Sequence, residues 1–252
     1  MPQSFSITDI GLRREMNQDY IFSSDLPLGS LSCLYLVADG MGGHQAGDLA
    51  SKLTVETVVN QVSVSVGEEP EELLREAFRM ANRKIRQTAA GHREYYGMGT
   101  TLVGCTICGE ELLVANVGDS RLYNYTEKGF SQITVDHSLV EEMVRAGSLD
   151  RKAARVHPER NVITRAIGAE DDLKVDFFRI PLKDCGLILM CSDGLSSMID
   201  DNEIESVLSG ARSLEKMAGI LIALANRAGG KDNISIILID TSQDKKSADS
   251  LL

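Results

Sequence analysis

Strand-like apolar runs and helical patterns occur in separate blocks along this chain, and this order limits the possible folds more than any other feature. Residues 4–10 are strand-like, and the nearly continuous apolar run at residues 31–38 is long enough for a buried strand. Helical periodicity occupies residues 46–62 and 71–89, after which strand-like runs dominate residues 98–134. Because strands and helices do not alternate strictly, we expect an α+β fold with two mainly antiparallel β-sheets packed as a sandwich and helix pairs on both outer faces.

The second half of the chain contains turns and further strand-like and helical segments. Glycine-containing turns at residues 109–110, 118–119 and 128–129 are spaced like hairpin turns. The later elements are predicted as strands at residues 174–180, 186–192 and 233–240 and as helices at residues 201–209 and 213–228. No linker and no internal repeat divides the chain, so we expect a single domain over residues 1–240 and a flexible tail over residues 241–252.

A polar and partly basic segment follows the predicted helix that starts at Ser138. Glu141, three residues later, completes a capping-box pattern, and Gly147 is a natural helix end. Residues 148–168 then contain a proline and several cations against an acidic background. This composition predicts a flap on the surface rather than an element of the core.

Composition and charge exclude several classes of function. The 252 residues carry a net charge of −11, whereas proteins that wrap nucleic acid or bind anionic membranes need a cationic face. No segment reaches the roughly 18–20 consecutive apolar residues of a membrane-spanning helix, and the N-terminus lacks the basic and apolar regions of a secretory signal. We therefore expect a cytoplasmic protein, without nucleic-acid or membrane partners, that acts as a monomer.

The five cysteines are an odd number, which fits reduced thiols better than a disulfide framework. Cys105 and Cys108 have the spacing of a metal or redox pair, so a zinc or redox site is one interpretation. They lie in a strand-like segment, however, where residues three apart point to opposite faces and cannot share one ion. Buried structural thiols are therefore the expectation.

Four aspartates stand at predicted strand ends. Asp39 and Asp193 each follow a buried apolar run and precede a glycine. Asp119 follows a glycine, and Asp232 comes just before the last apolar run. Any one of these sites is also typical of an ordinary turn. Together, the four carboxylates would repel one another, and a hard divalent cation with oxygen ligands, Mg²⁺ or Mn²⁺, is the usual means of neutralising them.

A loop with two arginines and an acid, GLRREMNQD (residues 11–19), follows the first predicted strand. Alone it is typical of a solvated loop, but beside a metal cluster a guanidinium indicates bidentate capture of a phosphate. Seven segments occur in the order GLRREMNQD, VADGMGG, GMGTT, VGDSR, DHS, CSDGL and KDN. In content and order they resemble the metal-dependent serine/threonine protein phosphatases, the protein phosphatase 2C family, in its compact bacterial form. The resemblance extends over about residues 4–240.

The resemblance implies a role for each acid. Asp39 would bridge two metal ions, and the carbonyl group of Gly40 would ligate one of them. Asp193 and Asp232 would hold the other ion, and Asp119 together with Asp193 would form the third site that is common in bacterial members. The implied cofactors are Mn²⁺ or Mg²⁺, with two core ions and a third, weaker one.

Substrate contacts are also implied. Arg14 matches the phosphate-binding arginine of the family, and Asp19 matches an acid held near the metals through water. Asn233 is expected beside the phosphate. From the charge pattern of the flap, we expect Arg151 and Arg155 to contact the phosphoprotein around the scissile group.

Two positions depart from the eukaryotic members of the family. Gln18 stands where many of them have glutamate, so any ligand role there is through water at most. Met41 stands where they carry a histidine that is thought to protonate the leaving group. His44, three residues further on, is either a catalytic residue or only a hydrogen-bonding residue. The identity of the general acid therefore stays open.

The implied activity is hydrolysis of phosphoserine and phosphothreonine in proteins that a cytosolic serine/threonine kinase has modified. A metal-bridged hydroxide would attack phosphorus while Arg14 and the ions hold the phosphoryl oxygens, without a covalent intermediate. A cysteine-dependent phosphatase is not expected, because no arginine stands six positions after any cysteine. The remaining alternative is a non-catalytic phosphoprotein-binding module on the same fold.

Overall fold

A computed structural model of the chain describes residues 2–43, 46–210 and 212–242. His44 and residues 243–252, most of the predicted tail, lie outside the described residues. The described strands are β1 (Gln3–Asp9), β2 (Asp19–Ser24), β3 (Leu34–Met41), β4 (Gly99–Thr100), β5 (Leu102–Cys108), β6 (Glu111–Val117), β7 (Arg121–Thr126), β8 (Gly129–Gln132), β9 (Asp176–Pro181), β10 (Leu187–Cys191) and β11 (Ile234–Asp240). The described helices are α1 (Ala46–Ser63), α2 (Pro70–Gly91), α3 (Leu139–Arg145), α4 (Arg151–Val156), α5 (Asp193–Ser196), α6 (Asp201–Leu208) and α7 (Leu214–Arg227).

The strands form two antiparallel sheets. The first sheet has the order β1-β11-β10-β7-β8, and its β1 and β11 pair along their full length although they begin and end the fold. The second sheet has the order β2-β3-β5-β6-β9, with the short β4 beside β3. The predicted α+β class with two antiparallel sheets is confirmed.

Three apolar layers hold the sandwich together. The middle layer lies between the sheets and contains the fully buried side chains of Tyr35, Val103 and Ile237. One outer layer, which includes Phe78, packs α1 and α2 on the second sheet, and the other, which includes Leu221, packs α6 and α7 on the first sheet. The helix pairs predicted on both outer faces are therefore present. Among the described helices, none combines the length and the hydropathy needed to cross a bilayer.

Strand β3 shows why its apolar run is continuous instead of alternating. Leu34 and Leu36 face the layer under α1 and α2, whereas Tyr35 and Val37 face the layer between the sheets. Both faces of this strand are buried, so neither face has room for polar side chains. The same central position places the end of β3, where Asp39 stands, at the rim of the sandwich.

The turn at residues 118–119 is not the predicted hairpin. Strand β6 belongs to the second sheet and β7 to the first, so the chain crosses between the sheets at this point. The turns at residues 109–110 and 128–129 do connect paired strands, as predicted. A glycine turn between two apolar strands looks the same in sequence whether or not the strands share a sheet, and this explains the error.

The segment predicted as a flap lies only partly outside the core. It contains the short helix α4, and Asp150 caps that helix by accepting two backbone hydrogen bonds at its start. Its end returns to the interior, where Ile167 is fully buried and pairs with Thr100. The range 148–168 was therefore too wide for a segment without core contacts, and the name flap is kept below for residues 148–163.

The capping box predicted at Ser138 is only half formed. Ser138 Oγ accepts a hydrogen bond from the N–H of Glu141 at 3.3 Å, as predicted. The carboxylate of Glu141 does not return to the cap, because it pairs with Arg151. A complete capping box starts α6 instead, between Asp200 and Glu203.

The five cysteines are reduced thiols. Cys105 lies between the sheets, whereas Cys108 packs on the helix side of the second sheet. The two thiols therefore face opposite ways, as predicted. Burial raises the pKa of the Cys108 thiol to about 11, so this thiol is protonated and unreactive near neutral pH.

Candidate active site

Five of the predicted acids meet at one edge of the sandwich. Asp19 and Asp39 come from the second sheet. Asp193 starts α5 after β10, Asp232 precedes β11, and Asp119 lies in the crossing between the sheets. All except Asp19 line one cleft of about 220 Å³, and Asp19 is buried next to it. The structure thus brings together carboxylates that the sequence spreads over the whole chain.

Hydrogen bonds fix the backbone of Asp39 at the end of its strand. Its N–H donates to Thr101 Oγ1 at 3.0 Å, and its carbonyl oxygen accepts from Thr100 Oγ1 at 2.8 Å and from the N–H of Thr101 at 2.9 Å. Asp19 lies directly opposite Asp39 in the ladder between β2 and β3. Like charges in opposed positions repel, so this pair needs either a proton or a cation between its members.

The residue after Asp39 has no room for a side chain. A Cβ at Gly40 would collide with the carbonyl oxygen of Gly47, at the start of α1, and would lie 2.7 Å from the carbonyl oxygen of Gln18. Glycine therefore lets α1 approach the end of β3 closely. Gly40 also lines the cleft, and the use of its carbonyl oxygen as a metal ligand stays a prediction.

Arg14 stands at the mouth of the cleft and pairs with one of the acids. Its Nη2 donates to Asp232 Oδ2 at 2.7 Å, while 46% of its side chain is exposed. The N–H groups of Leu12 and Arg13 donate to the carbonyl oxygen of Gly230 at 2.8 and 3.1 Å. These bonds tie the arginine loop to the turn before β11 and hold the guanidinium next to the acids.

The structure corrects the expectation for Asn233, which is buried and does not face the cleft. Its Oδ1 accepts from the N–H of Gln18 at 2.9 Å. Its Nδ2 donates to the carbonyl oxygens of Ile10 and Met16 at 2.9 and 3.0 Å. With its amide committed to three backbone groups, Asn233 shapes the arginine loop and is not placed to contact a phosphate.

Burial and mutual repulsion raise the pKa values of the clustered acids. Burial, helped by the nearby Asp193 carboxylate, raises the pKa of Asp19 to about 7 and that of Asp119 to about 8. Burial and the Asp232 carboxylate raise the pKa of Asp193 to about 6. The pKa of Asp39 is raised well above its ordinary value, mainly by burial. Protons and cations therefore compete for these oxygens near neutral pH.

The oxygen atoms of the cleft fit hard divalent cations. Among the described residues, Asp19 Oδ1 and Asp193 Oδ1 are buried without a hydrogen-bond partner, and such atoms are costly unless something pairs with them. Carboxylate and carbonyl oxygens suit Mg²⁺ and Mn²⁺. Over the described ranges, no three acidic, histidine or cysteine side chains form a ready-made cage around one point. Backbone carbonyl and water oxygens are therefore needed to complete a coordination shell.

Two supporting residues received no role from the sequence. Thr101 Oγ1, besides holding the backbone of Asp39, lies 2.7 Å from Ser120 Oγ and so connects β3 to the crossing between the sheets. Ser192 Oγ donates to Asp19 Oδ2 at 2.7 Å. In the sequence, each of these residues appears only as a small polar residue beside a long apolar run. Many surface positions have the same appearance, so the sequence could not assign a role to either residue.

The two flap arginines predicted to contact substrate are engaged within the protein. Arg151 contacts the carboxylate of Glu141 at 3.1 and 3.2 Å, and 73% of its side chain is exposed. Arg155 donates to the carbonyl oxygens of Ser196 and Ile199 at 3.3 and 3.0 Å. Arg155 therefore fastens α4 to the end of α5, next to Asp193.

The remaining lining of the cleft comes from the loop ends and the flap. Met41 and Gln18 line it at the two positions that depart from eukaryotic members. Asn161 and Ile163 reach it from the flap. No histidine stands among the described residues of this lining, and His44 lies outside the described part of the chain. The general acid therefore stays unassigned.

His137 supports the turn that carries Asp119. Its Nδ1 accepts a hydrogen bond from the N–H of Gly118 at 2.9 Å, and its Nε2 lies 3.1 Å from Asp176 Oδ2. Since Nδ1 accepts, the proton of the neutral ring is on Nε2, which donates to Asp176. Burial lowers the pKa of His137, and this keeps the ring in the neutral form that the turn requires.

Residues 13–232 match the family described as protein phosphatase 2C. The chain is 38% identical over 221 residues to the serine/threonine phosphatase stp of Listeria monocytogenes serovar 1/2a, covering 86% of this chain and 88% of that protein. It is 35% identical over 241 residues to the protein phosphatase PhpP of Streptococcus pneumoniae serotype 2, covering 94% of this chain and 97% of that protein.

Solved structures show the same likeness over the whole fold. The serine/threonine phosphatase Stp1 from Staphylococcus aureus superposes with a TM-score of 0.89 at 33% identity, covering 95% of each chain. The catalytic domain of the serine/threonine protein phosphatase PstP, in complex with two manganese ions, gives a TM-score of 0.81 at 31% identity, covering 95% of this chain and 97% of that one. The order of the segments, the two-sheet fold and these matches agree, and the chain belongs to the protein phosphatase 2C family.

Proposed function

We propose that the acidic cleft is the catalytic centre, where the chain hydrolyses phosphoserine and phosphothreonine esters in proteins. The chain is a serine/threonine protein phosphatase, and its family is metal-dependent. The observation that carries the assignment of the centre is the convergence of five acids from both sheets beside a cleft with an arginine at its mouth. The chemistry of a phosphate ester needs both parts, since the acids suit cations and the arginine suits phosphoryl oxygens.

Two core cations and a third, weaker one are the proposed occupants. Asp39 and the carbonyl oxygen of Gly40 come from the second sheet, and Asp193 and Asp232 come from the ends of strands of the first sheet. Asp119, with Asp193, would hold the third cation. When bound, such ions supply a nucleophilic water at neutral pH and offset the charge of the phosphoryl oxygens.

Arg14 binds the phosphate from the open side of the cleft. Its exposed guanidinium presents planar donors that fit two phosphoryl oxygens at once. The bond to Asp232 holds this side chain in place before the substrate arrives, so less freedom is lost on binding. Asp19, whose Oδ2 accepts from Ser192, keeps Oδ1 free to accept a hydrogen bond from a water in the centre.

Phosphoproteins made by a serine/threonine kinase are the proposed substrates. The flap forms one wall of the cleft through Asn161 and Ile163, although the proposed metal ligands all lie elsewhere. Its role is therefore docking of the protein substrate. Arg151 is exposed enough to contact that substrate. Arg155 instead holds the flap in place through its hydrogen bond to the carbonyl oxygen of Ile199.

Hydrolysis of a phosphothreonine peptide, with and without Mn²⁺, tests this proposal. We expect turnover that requires Mn²⁺, stops on addition of a chelator, and releases inorganic phosphate in step with loss of phosphopeptide. Turnover that a chelator leaves unchanged would refute the metal centre. A non-catalytic binding module would retain the phosphopeptide without releasing phosphate, and no feature of the cleft favours that alternative.

A further inference from the structure

A second cavity, of about 180 Å³, lies beneath the flap and beside the catalytic cleft. The two cavities share Asp119, Asn161 and Asp193 in their walls, so they are direct neighbours and an extended substrate can reach both. The walls of this flap cavity come from β7, β8, the start of α3, α4 and α5. A cavity of about 150 Å³ already holds a molecule as large as benzene, so the flap cavity has room for a side chain with a charged end.

Four of the nine charged side chains in the wall of the flap cavity form ion pairs with each other. Arg121 makes a bidentate contact with Asp136, with nitrogen–oxygen distances between 2.6 and 3.0 Å. Arg151 pairs with Glu141. Asp201 lies in the first turn of α6, where the helix dipole stabilises a carboxylate. The two ion pairs therefore add no net charge to the cavity, whereas Asp201 adds one negative charge.

Two further arginines of the wall have no acidic partner among the described residues. Arg155 donates to two carbonyl oxygens, which uses its donors but does not neutralise its charge. The side chain of Arg160 makes no hydrogen bond or ion pair within the described part of the chain. Asp119 and Asp193, at the shared end, face the proposed cations. Set against the single negative charge of Asp201, Arg155 and Arg160 leave one net positive charge in the flap cavity.

We infer that the flap cavity is a second anion subsite, which accepts an acidic or phosphorylated side chain of the substrate near the scissile phosphoresidue. This inference rests on the proposed function of the neighbouring cleft. Guanidinium groups bind carboxylates and phosphates with the same bidentate geometry, so both kinds of side chain satisfy the subsite. Residues of an extended peptide are about 3.3 Å apart and point alternately to opposite sides, so the second anion belongs within a few positions of the first.

A set of phosphothreonine peptides tests the subsite. Each peptide carries one Asp, or one non-hydrolysable phosphonate analogue of phosphoserine, at a single position near the phosphothreonine in an alanine background. We expect kcat/KM to rise by about fivefold or more at one or two positions, mainly through a lower KM, as an added charge-assisted hydrogen bond would give. Comparing the two groups at the same position distinguishes a preference for carboxylate from one for phosphate.

Variants of one arginine link the preference to this cavity. Arg160→Gln should abolish the preference for the anionic peptides, and Arg160→Glu should replace it with a preference for Lys at the same position. The matched control, Lys152→Gln, removes one positive charge from an exposed position of α4 outside the cavity and should keep the wild-type preference. A purely structural role of Arg160 could not reverse the preferred charge.

Three results would overturn the inference. Equal kcat/KM for all peptides, in an enzyme that hydrolyses the neutral peptide with Mn²⁺, would remove the subsite and leave the proposed function intact. A preference for anionic peptides that survives in both Arg160 variants would also remove it. Absence of Mn²⁺-dependent turnover with every peptide would refute the proposed function, and the subsite with it.

Discussion

The guanidinium of Arg14 donates a 2.7 Å hydrogen bond to Asp232 across the mouth of the catalytic cleft. One carboxylate thus orients the proposed phosphate-binding cation and also faces the proposed metal ions. The first and last parts of the fold meet in this contact, because Asp232 lies two residues before the last strand and Arg14 lies between the first two strands. Phosphate binding and metal binding are therefore expected to depend on each other.

Arg14→Ala should lower kcat/KM for an aryl phosphate by about 10- to 100-fold, mainly through a higher KM, because a charge-assisted hydrogen bond worth roughly 1.5–3 kcal/mol is lost. Arg14→Lys should restore only part of the loss, since lysine lacks the planar fork. Steady-state kinetics at saturating Mn²⁺ measures both effects. Arg13→Ala is the matched control, and a larger loss in this variant would show that the neighbouring arginine binds the phosphate.

Asp39→Asn should lower turnover by at least about 100-fold, as the loss of a central electrostatic group does, while the protein stays folded. Removing one carboxyl from a repelling cluster should leave the melting temperature of the metal-free protein unchanged or higher. The rise in melting temperature on adding Mn²⁺ should shrink. Asp172→Asn, at an exposed position away from the cleft, serves as control. Wild-type turnover at limiting Mn²⁺ would exclude Asp39 as the bridging ligand.

Asp119→Ala should remove one bound ion and retain two. Asp119 lies in the crossing between the sheets, apart from the Asp39 end of the cleft, so we expect kcat to fall by roughly tenfold with little change in phosphate affinity. Titration calorimetry and anomalous scattering from Mn²⁺-soaked crystals count the ions. Loss of all ions would mean that Asp119 supports the core pair.

The metal-free protein should become less stable as the pH rises. Folding raises the pKa values of Asp193, Asp19 and Asp119 to about 6, 7 and 8. Raised values mean that the folded state binds protons more tightly, so this stability is fully present below the unfolded pKa of about 4 and is lost as the pH passes through the folded values. Denaturant unfolding in a chelator should show this fall between about pH 5 and pH 8.

Mn²⁺ should reverse that trend, since it binds the ionised carboxylates. The increase in melting temperature caused by Mn²⁺ should therefore be larger near pH 8 than near pH 5. In Asp193→Asn, both the loss of metal-free stability with pH and the Mn²⁺ effect should be smaller. If the free energy of unfolding of the metal-free wild type stays level or rises with pH, the result would contradict the clustering of these acids.

His137→Ala should reduce the free energy of unfolding by about 1–3 kcal/mol at neutral pH, because the N–H of Gly118 loses its buried acceptor. The pKa of His137 is lowered on folding, so its stabilisation is present above the unfolded pKa of about 6.5 and is lost as the pH falls below it. The difference between wild type and variant should therefore narrow toward about pH 5. His92→Ala, at a half-exposed ring, is the control and should change the free energy of unfolding by less than about 0.5 kcal/mol. If His137→Ala and His92→Ala had equal effects, the result would refute the buried hydrogen bond between Gly118 and His137.

Local patterns were sufficient to predict most of the fold. The continuous apolar run that became β3 and the helical periodicity of α2 depend on burial within one element, which the sequence shows directly. The crossing at residues 118–119 depends on which sheet each strand joins. That choice is made by packing between distant strands, so a local pattern could not reveal it.

The candidate site was predictable to a similar degree. Asp39 and Asp193 were recognisable because the same pattern, an apolar run followed by Asp-Gly, occurs twice, although each site alone is typical of a turn. Asn233 was placed wrongly, because its partners Ile10, Met16 and Gln18 are more than 200 residues away in sequence. Its neighbours in the chain carry no information about these contacts.

The pairing of β1 with β11 determines at which stage of its synthesis the enzyme can become active. The catalytic cleft takes Arg14 from the beginning of the chain and Asp232 from near its end, and the strand that positions Asp232 finishes at Asp240. A polypeptide still emerging from the ribosome therefore has neither a closed first sheet nor a complete set of acids. The phosphatase is therefore inert until the residues up to Asp240 have left the ribosome and β11 has paired with β1.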